Sequence, residues 1–488
     1  MLAKHLRQDF AVNASSTDAV LCVDLDGTLV QTDTLLEAIL RLLKREPRML
    51  FALLFWLLKG RSYLKREVAA RVNLNPAELP YCAELIAYLE TEREAGTHIV
   101  LVTGADQRIA KSVAEYLGIF DEVIASNGIR NLTGATKMRE LVDRFGAGKF
   151  RYVGNSRTDL PVWRQASHTL VCGATGSLMR RLNRERIPTE RVFLPRKNTL
   201  PLLAQAMRVY QWPKNLLILV PLCLSHKIGD FGLIAKGLTA MAAFSLCASA
   251  LYLINDLLDL AADRAHPRKR TRPFASGRLS LATGILLAPC LVAVALSLAS
   301  FLPLDFLLIL GAYVILSTAY SVVFKEIPLL DICLLGGLYV VRIFAGGAAM
   351  GIVISSWTLG YCMFLFLSLA MLKRYVELLM LSANKQTAAP GRGYVVADFP
   401  ILACFGAGSA SVAALLLALY IESAEVQLLY RYPQRLWFLC GMHMYWISRA
   451  WLLANRGEMH HDPVLFALKD RTSYWLGLLA AVVVVLAT

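Results

Sequence analysis

The chain has 488 residues, 56% of them hydrophobic and 18% charged. Soluble globular domains carry roughly 25% charged residues, so this composition excludes a disordered chain and a purely soluble one. The formal charge is +15, and about two thirds of the surplus falls after residue 195, in short loops of the apolar part. That distribution favours a membrane surface and anionic substrates over nucleic acid. The opening stretch MLAKHLRQDF has no apolar core of the signal-peptide kind, so the N-terminal part is expected in the cytosol. Residues 19–23, 98–102, 122–125 and 150–153 then read as short buried strands alternating with helical patterns, a parallel sheet with crossover helices. Leu35–Leu43 is amphipathic, and Met49–Leu58 (MLFALLFWLL) is apolar but too short to span a bilayer. This hairpin reads as a helical cap over the first domain, as a segment resting on the membrane, or both. Ser177–Arg196 is polar and basic and reads as a linker.

Beyond the linker, nine apolar runs approach the roughly 20 residues a spanning helix needs. They lie at about 202–224, 236–256, 280–301, 303–322, 329–350, 356–378, 400–421, 436–453 and 474–487. Lys and Arg gather after the second run (Arg264, Arg268, Lys269, Arg270, Arg272, Arg278), after the sixth (Lys373, Arg374, Lys385, Arg392) and after the eighth (Arg456, Lys469, Arg471). The positive-inside rule then places these loops, with the N-terminal domain, on the cytosolic side of a cell (inner) membrane. The ten cysteines show no metal-binding spacing and read as packing residues.

Two stretches carry chemistry. The first strand runs into Asp24-Leu25-Asp26-Gly27-Thr28. Two carboxylates at i and i+2 point into the crevice at the carboxyl end of a parallel sheet. They suit Mg²⁺ with a phosphate, one acid attacking phosphorus and the other moving a proton. The second stretch is Asn255-Asp256-Leu257-Leu258-Asp259-Leu260-Ala261-Ala262-Asp263, followed by His266, Lys269, Arg270 and Arg272. A continuous helix would set Asp256, Asp259 and Asp263 on one face. Three carboxylates at a membrane helix end call for a cation, which suits a Mg²⁺-diphosphate with basic residues as anion contacts.

The DxDGT segment resembles the haloacid dehalogenase (HAD) phosphatases, and the resemblance covers residues 19–175. It implies a Rossmann-like α/β domain with a helical cap at about 34–90. Thr103 would bind the transferring phosphoryl group, Lys137 would neutralise phosphate charge, and Gly154-Asn155-Ser156-Arg157-Thr158-Asp159 would supply metal ligands at Asn155 and Asp159. The family usually has Asp where this chain has Asn155. The NDxxDxxxD segment resembles the UbiA superfamily of intramembrane prenyltransferases over about residues 200–488. Its finer form, running on into HPxKRxRP, is similar to decaprenyl-phosphate phosphoribosyltransferases. So do Trp212-Pro213-Lys214-Asn215 and the set Tyr320, Lys325, Asp331 and Arg342 with Ala345-Gly346-Gly347 resemble that family. Lys373, Arg374 and Glu377 are expected near the same pocket. His460 and His461 stay unassigned.

Together the resemblances imply a phosphatase domain at 1–195 and an all-α membrane bundle at 196–488, each using Mg²⁺. The metal ligands would be Asp24, Asp26, Asn155 and Asp159 in the first and Asn255, Asp256, Asp259 and Asp263 in the second. Phosphoribosyl diphosphate would be the donor and a polyprenyl phosphate in the bilayer the acceptor, with Lys214, Asn215, His266, Lys269, Arg270, Arg272, Tyr320, Lys325, Asp331, Arg342, Lys373 and Arg374 binding substrate. A homo-oligomer and the absence of a nucleic-acid partner are further expectations. Two rivals stand beside this reading: an aromatic prenyltransferase using prenyl diphosphate, and a transferase with an inactive HAD scaffold.

Overall fold

The computed structural model describes residues 19–127, 130–193, 199–383, 392–459, 462–467 and 469–488. It divides into two compact units, Met1–Ala206 with Leu253–Leu286, and Met207–Tyr252 with Leu287–Thr488.

The first unit holds six parallel strands: β1 (Val20–Val23), β2 (Ile99–Asp106), β3 (Glu122–Ser126), β4 (Phe150–Gly154), β5 (His168–Cys172) and β6 (Thr189–Phe193). Their order is β3-β2-β1-β4-β5-β6, the doubly wound arrangement. Alternate residues feed two cores. Leu21, Val23, Ile99 and Leu101 join one cluster, and Cys22, Val100, Val102 and Tyr152 the other. Both faces being covered, β1 and the first half of β2 are unbroken apolar runs.

Helices α1 (Thr34–Arg45), α2 (Met49–Leu58) and α3 (Arg61–Arg71) follow β1, and α4 (Ala83–Glu94) leads back into β2. Asp33 caps α1, its side chain accepting from the Leu36 N–H at 3.0 Å. Leu85 and Leu89 of α4 bury with Leu21 and Ile99, so α4 serves as a sheet crossover. Helix α5 (Gln107–Leu117) packs in the same core as α4, while α6 (Ala135–Phe145), α7 (Leu160–Trp163) and α8 (Gly176–Arg184) cover the other face.

Most of the expected linker at 177–196 is instead α8 and β6, joined by a short turn at 185–188. Leu178 and Leu182, one turn apart, bury one face of α8. β6 is an edge strand whose first three residues, Thr189, Glu190 and Arg191, are polar, which hides it from a composition scan.

All nine apolar runs are helical in at least part of their length, but among the described residues five helices are long and apolar enough to cross a membrane: Phe231–Leu258, Leu281–Ala299, Leu304–Val322, Leu330–Met350 and Val396–Ile421. The helices Ser356–Ala383 and Trp437–Asn455 carry Arg374, Glu377 and Arg449. The last, Arg471–Ala487, is 17 residues long. The first run is broken into Thr199–Ala206, a 3₁₀ stretch Val209–Leu219 containing Pro213, and Val220–Leu224. That stretch lies against the helix Leu330–Met350, where a Cβ on Gly346 would stand 1.9 Å from the Ile218 carbonyl oxygen. The glycine is what permits this backbone approach.

Candidate functional site

Three clusters gather the predicted residues. The first sits at the carboxyl end of β1. Lys137, from the first turn of α6, donates to Asp24 Oδ1 at 2.6 Å and to the Tyr152 hydroxyl at 2.9 Å. Tyr152 in turn donates to Asp159 Oδ1 at 2.9 Å. The Thr28 hydroxyl donates to Asp24 Oδ2 at 3.3 Å, and the Thr34 N–H holds Asp26 Oδ1 at 2.8 Å. Thr103 is fully buried within β2, its hydroxyl accepting from the Ala105 N–H at 2.9 Å. Asn155 lies against Gly27, whose added Cβ would meet its amide nitrogen at 2.0 Å.

Burial pushes the carboxyls of Asp24 and Asp26 above the ordinary range. Asp26 rises to about 7, with the Asp33 charge adding to the effect. At Asp24 the Lys137 cation only partly offsets burial. Burial alone would lower the Lys137 amine, but Asp24 and Asp159 outweigh it and raise it.

Asp159, the other metal ligand expected here, is held by hydrogen bonds within its own loop. Its Oδ2 accepts from the N–H groups of Asn155 and Ser156 and from the Ser156 hydroxyl, at 3.0–3.1 Å. It orders the loop that carries Asn155. The donor set of Asp24, Asp26 and the Asn155 amide suits Mg²⁺, because two buried carboxylates raised by desolvation gain from a divalent cation. Among the described residues, no group of three or more His, Cys, Asp or Glu side chains is gathered as a metal centre.

Sequence reasoning missed Tyr152 and Lys65. Lys65 reaches from α3 to the Gly104 carbonyl oxygen at 2.5 Å and Asn131 Oδ1 at 2.8 Å. Burial lowers its amine, while the charges of Asp26 and Asp33 act to raise it. Nothing local in the sequence separates this lysine from its neighbours Arg61 and Arg66.

The second cluster is the loop Leu253–Leu286, within the same compact unit. The helix does not continue through it as expected. It ends at Leu258 and resumes at Leu260–Ala265, with Asp259 between at φ −100° and ψ 15°. Asp256 and Asp263 are buried and converge on one guanidinium nitrogen of Arg272, at 3.1 and 2.7 Å. Asp259 turns away to Lys44 of α1, at 2.5 Å. Burial raises the Asp263 carboxyl although Arg272 opposes it. Asp256 and Asp263 meet a single cation, so this pair also suits a Mg²⁺-diphosphate, while Asp259 stands outside it. His266 Nδ1 accepts from the Arg268 N–H at 3.2 Å, and Lys269 and Arg270 are exposed. Asn255 is half-buried.

One partner in this loop escaped the sequence reading. Arg264 forms a two-pronged ion pair with Glu37 of α1, at 2.6 and 2.9 Å, both side chains being buried. It also donates to the Ala275 carbonyl at 2.8 Å. Gly277 (φ +72°) lies against Gln31, whose Cβ would be 2.6 Å from an added Cβ.

The third cluster, in the second unit, has two parts. Lys214 and Lys373 both donate to Asp462 Oδ2, at 2.8 and 2.9 Å. Asn215 accepts from Arg342 at 2.9 Å and donates to Ser245 at 2.8 Å. The Arg342 guanidinium lies 5.3 Å from the ring centres of Phe244 and Tyr313 and 5.5 Å from that of Tyr339. In the other part Asp331 is fully buried and receives Arg374 at 2.5 and 2.8 Å, Tyr320 at 2.8 Å and Arg392 at 3.3 Å. Lys325 is half-exposed on the turn Phe324–Glu326. Asp462 was not foreseen as a lysine partner. His460 and His461 lie outside the described residues, as does Lys385.

The family model of the UbiA prenyltransferase family matches residues 217–476, and that of haloacid dehalogenase-like hydrolases matches 21–164. An uncharacterized protein, y4nM, of Sinorhizobium fredii is 36% identical over 96% of this chain and 90% of its own. Decaprenyl-phosphate phosphoribosyltransferase of Corynebacterium glutamicum is 38% identical over 191 residues, 38% of this chain and 57% of that protein. A solved UbiA homolog from Archaeoglobus fulgidus, bound to DMAPP and Mg²⁺, aligns at 16% identity with a TM-score of 0.42, covering 58% of this chain and 96% of that one. The chain belongs to the UbiA prenyltransferase family and carries a haloacid dehalogenase-like domain at its N-terminal end.

Proposed function

We propose that the chain transfers 5-phosphoribose from phosphoribosyl diphosphate to a polyprenyl phosphate and then removes the 5-phosphate, leaving polyprenyl-phosphoryl ribose. The observation that carries this reading is the loop in which Asp256 and Asp263 share Arg272, because its NDxxDxxxD–HPxKRxRP sequence lies in a family-matched region similar to decaprenyl-phosphate phosphoribosyltransferases. In the transfer step an oxygen of the lipid phosphate attacks the anomeric carbon. The bond from that carbon to the diphosphate breaks, and the diphosphate departs with the electron pair. Asp256 and Asp263 would hold Mg²⁺ there, which neutralises charge on the leaving group. Arg272, released from the two acids, is placed to bind a phosphate oxygen. Lys214, Asn215, Arg342 and Lys373 would serve the lipid phosphate.

In the second step Asp24 attacks the 5-phosphate, the ribose oxygen leaves with a proton from Asp26, and water then releases inorganic phosphate from Asp24. Lys137 holds Asp24 and balances phosphate charge, and Thr103 would bind the transferring group. In this reading residues 1–195 form the phosphatase part and 196–488 the transferase. The bundle crosses a cell (inner) membrane nine times, with both sites on the cytosolic side.

Purified chain supplied with phosphoribosyl diphosphate, a polyprenyl phosphate and Mg²⁺ is expected to yield lipid-linked ribose by mass spectrometry. Asp256→Asn should abolish the product, and Asp24→Asn should accumulate the form heavier by one phosphate. An unchanged product mixture with Asp24→Asn refutes the coupled phosphatase.

A further inference from the structure

Helix α2, Met49–Leu58, has no charged or polar residue in its length, and only Leu53 and Trp56 are buried. These two join the core cluster that holds Leu64 and Val68 of α3, and the Arg71 guanidinium lies 4.6 Å from the Trp56 ring centre. The helix is therefore anchored on the domain by one side. The remaining sides show Leu50, Phe51, Leu54, Phe55, Leu57 and Leu58, with Phe51 76% and Leu58 87% exposed. A contiguous apolar surface of this kind on a folded domain marks an interaction site.

Two further observations select the partner. The ends of the helix are basic: Lys44, Arg45 and Arg48 precede it and Lys59 and Arg61 follow it, all exposed, with Glu46 as the single acid among them. An apolar helix between basic ends fits the boundary between acyl chains and anionic headgroups. The second observation is position. Lys44 pairs with Asp259 at 2.5 Å, and Asp259 is the residue immediately after Phe231–Leu258, a helix long and apolar enough to cross a membrane. The chain at Lys44 is thus at the level where that helix ends, and α2 begins five residues later. Ten residues at 1.5 Å each reach about 15 Å, half a bilayer's apolar thickness, so α2 lies in the interface and does not span it.

We infer that α2 is an interfacial membrane anchor of the haloacid dehalogenase-like domain, seated in the headgroup–acyl boundary of an anionic lipid surface. The anchor goes beyond the reaction proposed above and does not depend on it. It holds the cap of the Asp24 site against the bilayer, the surface from which a lipid-borne phosphomonoester would be presented.

The test uses the full chain in nanodiscs of zwitterionic and anionic phospholipid with a trace of a diazirine-bearing phospholipid. After illumination and digestion, mass spectrometry should find lipid on peptides covering 49–58 well above the level on α6, and more with anionic lipid. The triple variant F51S/L54S/L58S changes exposed positions only and should lower that label by about tenfold, with label on Leu281–Ala299 unchanged. Label on wild-type 49–58 no higher than on α6 overturns the inference. So does covalent capture of a second copy of the chain through this helix in place of lipid. Lipid-linked ribose formation is assayed on the same samples, so failure of the reaction and failure of the anchor are read separately.

Discussion

The Asp24 site and the Asp256 loop lie in one compact unit and are held by different means. Asp24 follows β1, whose two neighbours in the sheet fix its end by backbone hydrogen bonds, including that from the Asp24 N–H to the Val153 carbonyl. The loop Leu253–Leu286 contains no strand, and five of its charged residues pair through their side chains: Arg272 with Asp256 and Asp263, Asp259 with Lys44, and Arg264 with Glu37. A site held by a sheet keeps its geometry when one charge is lost. A loop held by ion pairs does not, because a buried charge without its partner is costly.

The largest test of this contrast is Glu37→Gln. Leaving Arg264 buried without its acid should cost about 3–5 kcal/mol locally. Trypsin cleavage after Arg268, Lys269 and Arg270 should rise sharply, while hydrolysis of a soluble phosphomonoester at the Asp24 site stays near wild type. The double change Glu37→Leu with Arg264→Leu should restore protection, since an apolar pair of similar size removes the stranded charge. Equal damage to both sites would show that the two are not held differently.

A smaller effect is expected in the helical unit, where backbone approach again sets the geometry. Gly346→Ala places a Cβ against the Ile218 carbonyl, and the resulting shift should cost about 1–3 kcal/mol. It is read as a lower unfolding midpoint of the helical part.

The smallest effect concerns a charge pair on the sheet domain. Burial would raise the Glu92 carboxyl, but hydrogen bonds from Arg151, Tyr88 and Thr97 hold it at about 2, against an ordinary 4.5. Its stabilising contribution is therefore fully present above the ordinary value and fades as pH falls towards about 2. The unfolding midpoint of Glu92→Gln should fall less steeply than wild type between about pH 5 and pH 3. A parallel decline would mean that this pair contributes nothing.

The sequence made the sheet's first four strands, the DxDGT loop and the NDxxDxxxD loop legible, because each is a local pattern: an apolar run with acids at its end. It did not reveal β6, whose polar start Thr189-Glu190-Arg191 belongs to an edge, or the break at Asp259, which leaves local hydrogen bonding almost intact through Asp259 N–H to Asn255 and Asp263 N–H to Asp259. Nor did it disclose Asp462 as the acid between Lys214 and Lys373, or Glu37 as the acid for Arg264. Those pairings join residues 248, 89 and 227 positions apart, and no periodicity encodes such distances.

The Glu37–Arg264 pair bears on how this protein can be taken apart. A cut near residue 195 separates the two family matches on paper, yet it strands Arg264 on one fragment and a buried carboxylate on the other. Neither half is portable without repair. A haloacid dehalogenase-like domain borrowed from elsewhere would need an acid at the place of Glu37, and a truncated UbiA part would need a neutral residue at 264, before either could stand in for its native counterpart.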